Sequence, residues 1–189
     1  HNEAGRNQFP EEEHRMAGVV SIRRHDGGKS SIRHDLTFTT EVVQQMVVPT
    51  FVLDAEHRVI VWNRACERLT GMPADKVLGS RDHWRAFYAS QRPCLADLMI
   101  EGRLEEISDF YPIHHQSPDV AFGVHTENWC VMPLRGTQLY LEIDAGPILD
   151  ADGTLIAVVE TLRDMTLRQS AETRLRTMFE SSPDPLWIM

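Results

Sequence analysis

The spacing of apolar residues in the first half of the chain changes from helical to strand-like at Pro49. Before it, apolar side chains recur on one helical stripe, and proline cannot continue a helix. After it, two β-prone runs flank a polar turn, and Asn63 is placed to cap a helix that Gly71 stops. The predicted elements are a helix over 36–48, strands over 50–53 and 58–62, and a helix over 64–70.

The second half begins with helical spacing and ends in strands. Pro93 divides a helical stretch in two, and the prolines around His114 and His115 predict a loop over 110–123. An Asp-Ala-Asp-Gly turn at 150–153 is a strong hairpin signal. The predicted elements are helices over 82–90 and 94–100, strands over 124–133, 138–149 and 154–162, and a helix over 166–180.

The last of these helices carries a narrow apolar seam whose members are spaced by 4, 4 and 3 residues. That spacing favours a coiled coil or a partner helix, and packing on the helix's own domain is the alternative. The seam consists of Leu167, Ala171, Leu175 and Met178.

The order of these elements predicts an α+β fold, with a five-stranded antiparallel sheet that has short helices on one face. An extension precedes it. There, two β-prone runs, 19–24 and 29–33, flank an Asp-Gly-Gly turn and predict a hairpin.

Composition and charge argue against several classes of function. The chain has 189 residues and a net charge of -9, which argues against a nucleic-acid partner. No apolar run approaches the roughly 20 residues of a membrane span, and the polar first thirty residues predict no signal peptide. The cysteines are few, odd in number and far apart. They predict no disulfide framework, and they favour a cytoplasmic location.

Candidate chemistry is sparse. No nucleophile elbow, phosphate-binding loop or paired-carboxylate motif occurs, so we predict that this chain is not an enzyme. The histidines lack the spacings of common metal sites, and we predict no metal. A haem would need one axial histidine, for which His83 is the better candidate.

Short motifs in a fixed order give residues 42–166 a resemblance to PAS sensor domains, which implies the PAS fold. The motifs are Pro-Thr-Phe-Val-Leu-Asp at 49–54, Val-Ile-Val-Trp-Asn-Arg-Ala at 59–65, Thr-Gly at 70–71, Val-Leu-Gly at 77–79, Pro-Ile-Leu-Asp-Ala-Asp-Gly-Thr-Leu-Ile at 147–156 and Asp-Met-Thr at 164–166.

A second copy of one motif supports the resemblance. Pro-Leu-Trp-Ile-Met at 185–189 repeats the pattern found at 49–53, so we expect a fragment of a longer bacterial signalling protein. The expected divisions are an N-terminal extension with the hairpin over 1–38, a PAS domain over 39–166, a linker helix over 167–180 and the start of a second PAS domain over 181–189.

The resemblance also implies a ligand pocket, because in PAS domains the segment corresponding to 82–98 faces the sheet across that pocket. Arg92 would neutralise a carboxylate there. The alternatives are an aromatic core with a surface arginine, an inert thiol at Cys94 and a simple helix cap at Asn63. The pocket candidates are Trp84, Tyr88, Arg92, Cys94, Leu98, Trp129 and Asn63.

Taken together, the resemblance implies a sensor that binds a small ligand or cofactor and signals through its last helix. Asp164 and Thr166 would form the signalling turn, and the seam would join two copies in a homodimer. The output would be a histidine kinase or diguanylate cyclase domain in the same chain. The resemblance leaves open whether the cofactor is haem, flavin or absent. Cys94 does not lie in the motif that flavin photoreceptors carry. The alternative is a ligand-free dimerisation module, and a small enzyme is the weakest interpretation.

Overall fold

The computed structural model describes residues 30–117 and 122–180, and its centre is one antiparallel sheet. Six strands form it: β1 Thr50–Asp54, β2 Val59–Trp62, β3 Ile113–Gln116, β4 Val124–Cys130, β5 Leu139–Leu149 and β6 Leu155–Asp164. Their order across the sheet is β2-β1-β6-β5-β4-β3, so the two long strands at the C-terminal end of the chain lie at its centre.

The helices are short except for the first and last. They are α1 Ser30–Gln45, α2 Arg64–Thr70, α3 Ala74–Val77, α4 Leu95–Ile100, α5 Ile107–Phe110 and α6 Thr166–Glu180, with 3-10 turns at His83–Ala86 and Leu104–Glu106. Asn63 caps α2 by accepting a hydrogen bond from the amide of Cys66, and Gly71 ends it in the left-handed conformation with φ of 76°. Both caps confirm the prediction.

One face of the sheet and the short helices enclose the core. Alternate residues of each strand point to this inner face, because successive strand side chains point to opposite sides. α4 lies against the inner faces of β5 and β6. The buried strand residues of this face include Phe51, Leu53, Cys130, Leu141, Ile143, Ala145, Val158 and Leu162.

The α+β architecture is confirmed, but the prediction of five strands is wrong. The sixth strand, Ile113–Gln116, lies inside the predicted loop and pairs along the edge of β4. All four of its residues are exposed, so it lacks the buried face that produces an alternating pattern in the sequence.

Two further predictions need correction. Ser30 to Arg33, assigned to the second strand of the N-terminal hairpin, lie in α1, and the rest of that hairpin is outside the described residues. The helix predicted over 82–90 is only the 3-10 turn His83–Ala86. The carbonyl of Phe87, directly after this turn, accepts hydrogen bonds from the amides of Val131 and Met132, which follow β4, and not from a next helical turn. Within residues 30–117 and 122–180, no helix combines the length and the apolar character that a membrane crossing requires.

Candidate functional site

The space between α4 and the sheet contains a group of polar side chains, here called the inner polar cluster: Tyr88, Arg92, Tyr111 and Cys130. The hydroxyls of Tyr88 and Tyr111 lie 3.3 Å apart, and the Cys130 thiol lies 4.0 Å from the Tyr88 hydroxyl. Burial is the main cause that raises the pKa of both tyrosines well above the ordinary value, and it raises the pKa of Cys130 to about 12. These groups are therefore neutral hydrogen-bonding partners at neutral pH.

Arg92 brings the positive charge of this cluster. Its guanidinium carbon lies 4.2 Å from the centre of the Tyr88 ring, 5.0 Å from that of Tyr111 and 5.4 Å from that of Phe110. One terminal nitrogen donates to the Phe110 carbonyl at 2.9 Å. The Nε atom is buried and has no hydrogen-bond partner within the described residues. Aromatic faces stabilise the cation, but they leave this donor unsatisfied.

Glu160 places a carboxyl group on the inner face of β6, where it is 2% exposed. It accepts a hydrogen bond of 2.8 Å from the backbone amide of Ala96, in the first turn of α4. Burial raises the pKa of Glu160 to about 8, the charge of Asp97 adds to that rise, and the hydrogen bond from Ala96 opposes it. The sequence does signal this residue, since a glutamate interrupts the apolar inner-face positions of its strand.

Asp97 of α4 lies between two histidines from distant segments. One carboxylate oxygen is 2.7 Å from Nδ1 of His57 in the β1–β2 turn, and the other is 2.8 Å from Nε2 of His83. The second oxygen also accepts from the amide of Cys94. Burial raises the pKa of Asp97, but the hydrogen bonds and charge of the histidines outweigh it and lower the value. Sequence analysis missed this group because 40 residues separate His57 from Asp97.

Two surface clefts of about 360 Å³ each flank the site. One lies beside β3 and the second 3-10 turn. The other opens beside the inner polar cluster, and its lining includes His57, His83, Trp84, Arg92 and Asp97. Arg92 therefore belongs both to the inner polar cluster and to a cleft that is open to solvent.

Comparison with known families decides which family this architecture represents. The family model described as the PAS fold matches residues 43–170, which is more than half of the chain. The chain belongs to the PAS family. The resemblance drawn from the motifs is confirmed, and no match to a curated protein is found.

Several solved structures are similar to this chain at low sequence identity. An RNA-binding Light-Oxygen-Voltage receptor is 18% identical with a TM-score of 0.56, over 86% of this chain and 41% of the receptor. This chain thus spans less than half of that receptor. The PAS domain of BvgS from Bordetella pertussis is 19% identical with a TM-score of 0.46, over 78% of this chain and 99% of that domain. A PAS domain from Colwellia psychrerythraea is 15% identical with a TM-score of 0.44, over 71% and 99% respectively.

The structure brings four of the seven pocket candidates to the inner side of this PAS domain. Tyr88, Cys94 and Leu98 are buried, and Arg92 lies over the Tyr88 ring. Burial is the main cause that raises the pKa of the Cys94 thiol well above its ordinary value. Trp84 is half-buried on the wall of the cleft. Tyr111 is a member of the inner polar cluster that sequence analysis missed, because it was assigned to a loop.

The other two candidates lie elsewhere. The Trp129 ring is 46% exposed and packs at 5.2 Å against Tyr140, on the face of the sheet opposite the core. Its assignment to the pocket is wrong because Cys130, the next residue in the strand, takes the inward position. Asn63 is buried as a cap. Its side chain accepts from the amides of Thr50 and Cys66 and donates to the Val48 carbonyl.

At the exit from the PAS core, hydrogen bonds join Asp164 and Thr166 in a tight turn. Asp164 accepts from both the amide and the hydroxyl of Thr166, at 2.9 and 2.5 Å. α6 follows without burying any of its residues. All four seam residues are exposed, including Leu167, Leu175 and Met178 at 88%, 55% and 69%.

Proposed function

We propose that this PAS domain is a sensor that binds a small ligand carrying an anionic group at Arg92 and relays the bound state through α6. The observation that supports this most is the unsatisfied Nε of Arg92, buried among the described residues. A buried donor without a partner is costly, and a ligand carboxylate is the acceptor that an arginine fork binds best. The hydroxyls of Tyr88 and Tyr111 add neutral hydrogen-bonding groups to the same surface.

The ligand would enter through the cleft that Arg92 shares with Trp84 and Gln91. The space behind Arg92 is filled by the Phe87, Tyr88 and Tyr111 side chains, so a larger ligand must move them. Movement of these rings would displace α4 relative to β5 and β6, on which it packs. A ligand that prefers the displaced arrangement shifts the population by its differential affinity, and by no more than that.

The relay would pass from β5 to α6, since β5 holds the start of that helix through Tyr140. The exposed seam would pair with a second copy, and the helix would then act on an output domain, a histidine kinase or a diguanylate cyclase, in the same chain. We place the protein in the cytoplasm, in keeping with its three buried and unpaired cysteines.

A ligand-free dimerisation module is the second candidate function. The observation that favours it is the combination of a core filled by aromatic side chains with an exposed seam on α6. In that case the seam, and not Arg92, carries the function.

The test begins with the protein as purified. An absorption spectrum and native mass spectrometry would show any retained molecule, and melting curves with succinate and citrate would supply anionic probes. We expect a retained small acid or a raised melting temperature in the wild type. The control variant Arg85→Gln, which removes an exposed guanidinium from beside the Trp84 ring, should give the same result. We expect the loss of both signals in Arg92→Gln.

Three results would overturn this assignment. A Soret or flavin band would make the protein a cofactor sensor. An acid response that survives in both Arg92→Gln and Tyr88→Phe would place the ligand elsewhere. If no acid is retained or sensed, and Leu175→Asp converts a dimer into a monomer, the dimerisation module is the better account.

A further inference from the structure

His83, Cys94 and Asp97 form a compact cluster of metal-binding side chains beside the inner polar cluster. One ligand atom from each lies within 4.8 Å of those from the other two. All three residues are more than nine-tenths buried, with exposures of 2%, 1% and 8%. Nδ1 of His57 lies outside this group of three, 2.7 Å from the other oxygen of the Asp97 carboxylate. We propose that His83, Cys94 and Asp97 bind one divalent transition-metal ion and that His57 rotates in as the fourth ligand, a function separate from ligand binding at Arg92.

The donor set determines the class of ion. Two imidazoles, a thiolate and a carboxylate form the mixed four-ligand shell that zinc accepts, whereas magnesium and calcium require oxygen ligands. Zinc bonds of about 2.0–2.3 Å with tetrahedral angles separate neighbouring ligand atoms by about 3.3–3.8 Å. The ligand atoms of His83, Cys94 and Asp97 lie within 4.8 Å of one another, so the three side chains must draw closer, and His57, which bonds to the other carboxylate oxygen, must rotate towards them.

The orientation of the His83 ring identifies the nitrogen that would face the metal. Nε2 of His83 lies 2.8 Å from Asp97, while Nδ1 of the same buried ring points away from the cluster. The remaining partners of Asp97 are His57 and the Cys94 amide, so no lysine or arginine of the described chain pairs with its charge.

The cluster has both an outer layer and an entrance. Nε2 of His57 lies 3.8 Å from a Glu101 carboxylate oxygen, which is beyond hydrogen-bond distance but places a negative charge beside the imidazole. His57, His83, Asp97 and Glu101 all line the open cleft of about 360 Å³. Three arginines share its lining. Arg103 is already paired with Glu101 and Glu106, and Arg92 is stacked on aromatic rings, which leaves Arg81 facing the cleft.

Binding would join three separate segments: the β1–β2 turn, the first 3-10 turn and the start of α4. The Cys94 S–H bond breaks, its proton passes to the solvent, and the sulfur electron pair forms the bond to the metal. Each imidazole donates the lone pair of one nitrogen and keeps its proton on the other. α4 would thereby be fixed to the β1–β2 turn.

A second group, His125, Glu142 and Asp144 on the outer face of the sheet, is the competing site. It is partly exposed and contains no cysteine. Glu142 is paired with Arg163 at 2.5 Å, and Asp144 accepts from Ser117 at 2.6 Å. The thiolate therefore distinguishes the two clusters in a binding experiment.

The experiment titrates the full chain, dialysed against a chelator, with cobalt(II) and then with zinc(II). We expect a thiolate-to-cobalt charge-transfer band and tetrahedral visible bands that saturate at one equivalent, and we expect zinc to remove both. Cys94→Ser should abolish the charge-transfer band, and His83→Gln should weaken cobalt binding at least tenfold. Cys66→Ser and His125→Gln should leave the spectrum unchanged, because these residues lie outside the cluster.

Cobalt binding without a charge-transfer band, or binding lost in His125→Gln but kept in Cys94→Ser, would overturn the proposal. Serine is a favourable helix cap, so Cys94→Ser keeps the start of α4 folded, and circular dichroism checks this. The titration needs neither an acid ligand nor an output domain. A negative titration would therefore not count against ligand binding at Arg92. Likewise, a failure to bind acids would not count against the metal site.

Discussion

The hydroxyl of Thr166 accepts a hydrogen bond of 2.9 Å from the backbone amide of Tyr140, 26 residues earlier in the chain. The Tyr140 carbonyl in turn accepts from the amide of Met165 at 2.8 Å. Both backbone groups of one residue in β5 are thus bound to the turn that starts α6. Because Thr166 also donates to Asp164, the position of the exit helix is fixed by the central sheet.

Thr166→Val removes this acceptor and keeps the shape of the side chain. We expect a loss of about 1–2 kcal/mol in unfolding free energy, as for other lost caps, and faster hydrogen exchange at Tyr140 and in the first turn of α6. Thr173→Val is the matched control, because its hydroxyl bonds only to the Gln169 carbonyl on the exposed helix. Equal exchange at the Tyr140 amide in both variants would contradict the coupling.

Arg92→Lys tests whether the planar guanidinium is required. A lysine keeps the charge, but it cannot stack over Tyr88 and Tyr111 while donating to the Phe110 carbonyl. We expect a loss of roughly 1–2 kcal/mol in urea unfolding at neutral pH. Arg85→Lys, the exposed arginine over Trp84, should change stability little. A loss of similar size in both variants would show that stacking of Arg92 on buried rings stabilises the fold no more than the exposed contact of Arg85 does.

Local signals in the sequence were sufficient for the central strands and for α6. The Asn63 cap, the Gly71 stop and the hairpin turn at 150–153 each fix backbone geometry within a few residues, and all three are found. α6 begins and ends where its spacing predicts. The edge strand is not predicted because it has no buried face. The short 82–90 segment is not predicted because the Phe87 carbonyl bonds to the distant amides of Val131 and Met132, which local spacing does not reveal.

The candidate site was predictable only in part, for a related reason. Tyr88 and Arg92 are near neighbours in the chain, and the resemblance to PAS domains places their segment opposite the sheet. The contacts that give the site its chemistry join distant residues: Glu160 to Ala96, and His57 to Asp97. No periodicity encodes such pairs, since only the strand order brings them together. The assignment of Trp129 to the pocket failed because a shift of one residue exchanges the two faces of a strand.

The buried carboxyl group of Glu160 should make stability depend on pH. Its folded-state pKa of about 8 lies above the ordinary glutamate value of 4.5, so between these values the folded state binds more protons than the unfolded state. The stabilising contribution is complete below pH 4.5 and is lost as pH rises through about 8.

Glu160→Gln keeps an acceptor for the Ala96 amide but cannot ionise, so the comparison of unfolding free energies at each pH isolates this one group. We expect the variant and the wild type to be similar near pH 4.5, and the variant to become more stable by the time the pH passes 8, by on the order of a few kcal/mol. Denaturant unfolding with a chelator present measures both proteins, and Glu105→Gln, at an exposed position, controls for the loss of one charge. A difference between Glu160→Gln and the wild type that stays constant with pH, or that reverses in sign, would mean that Glu160 is ionised in the folded protein at neutral pH.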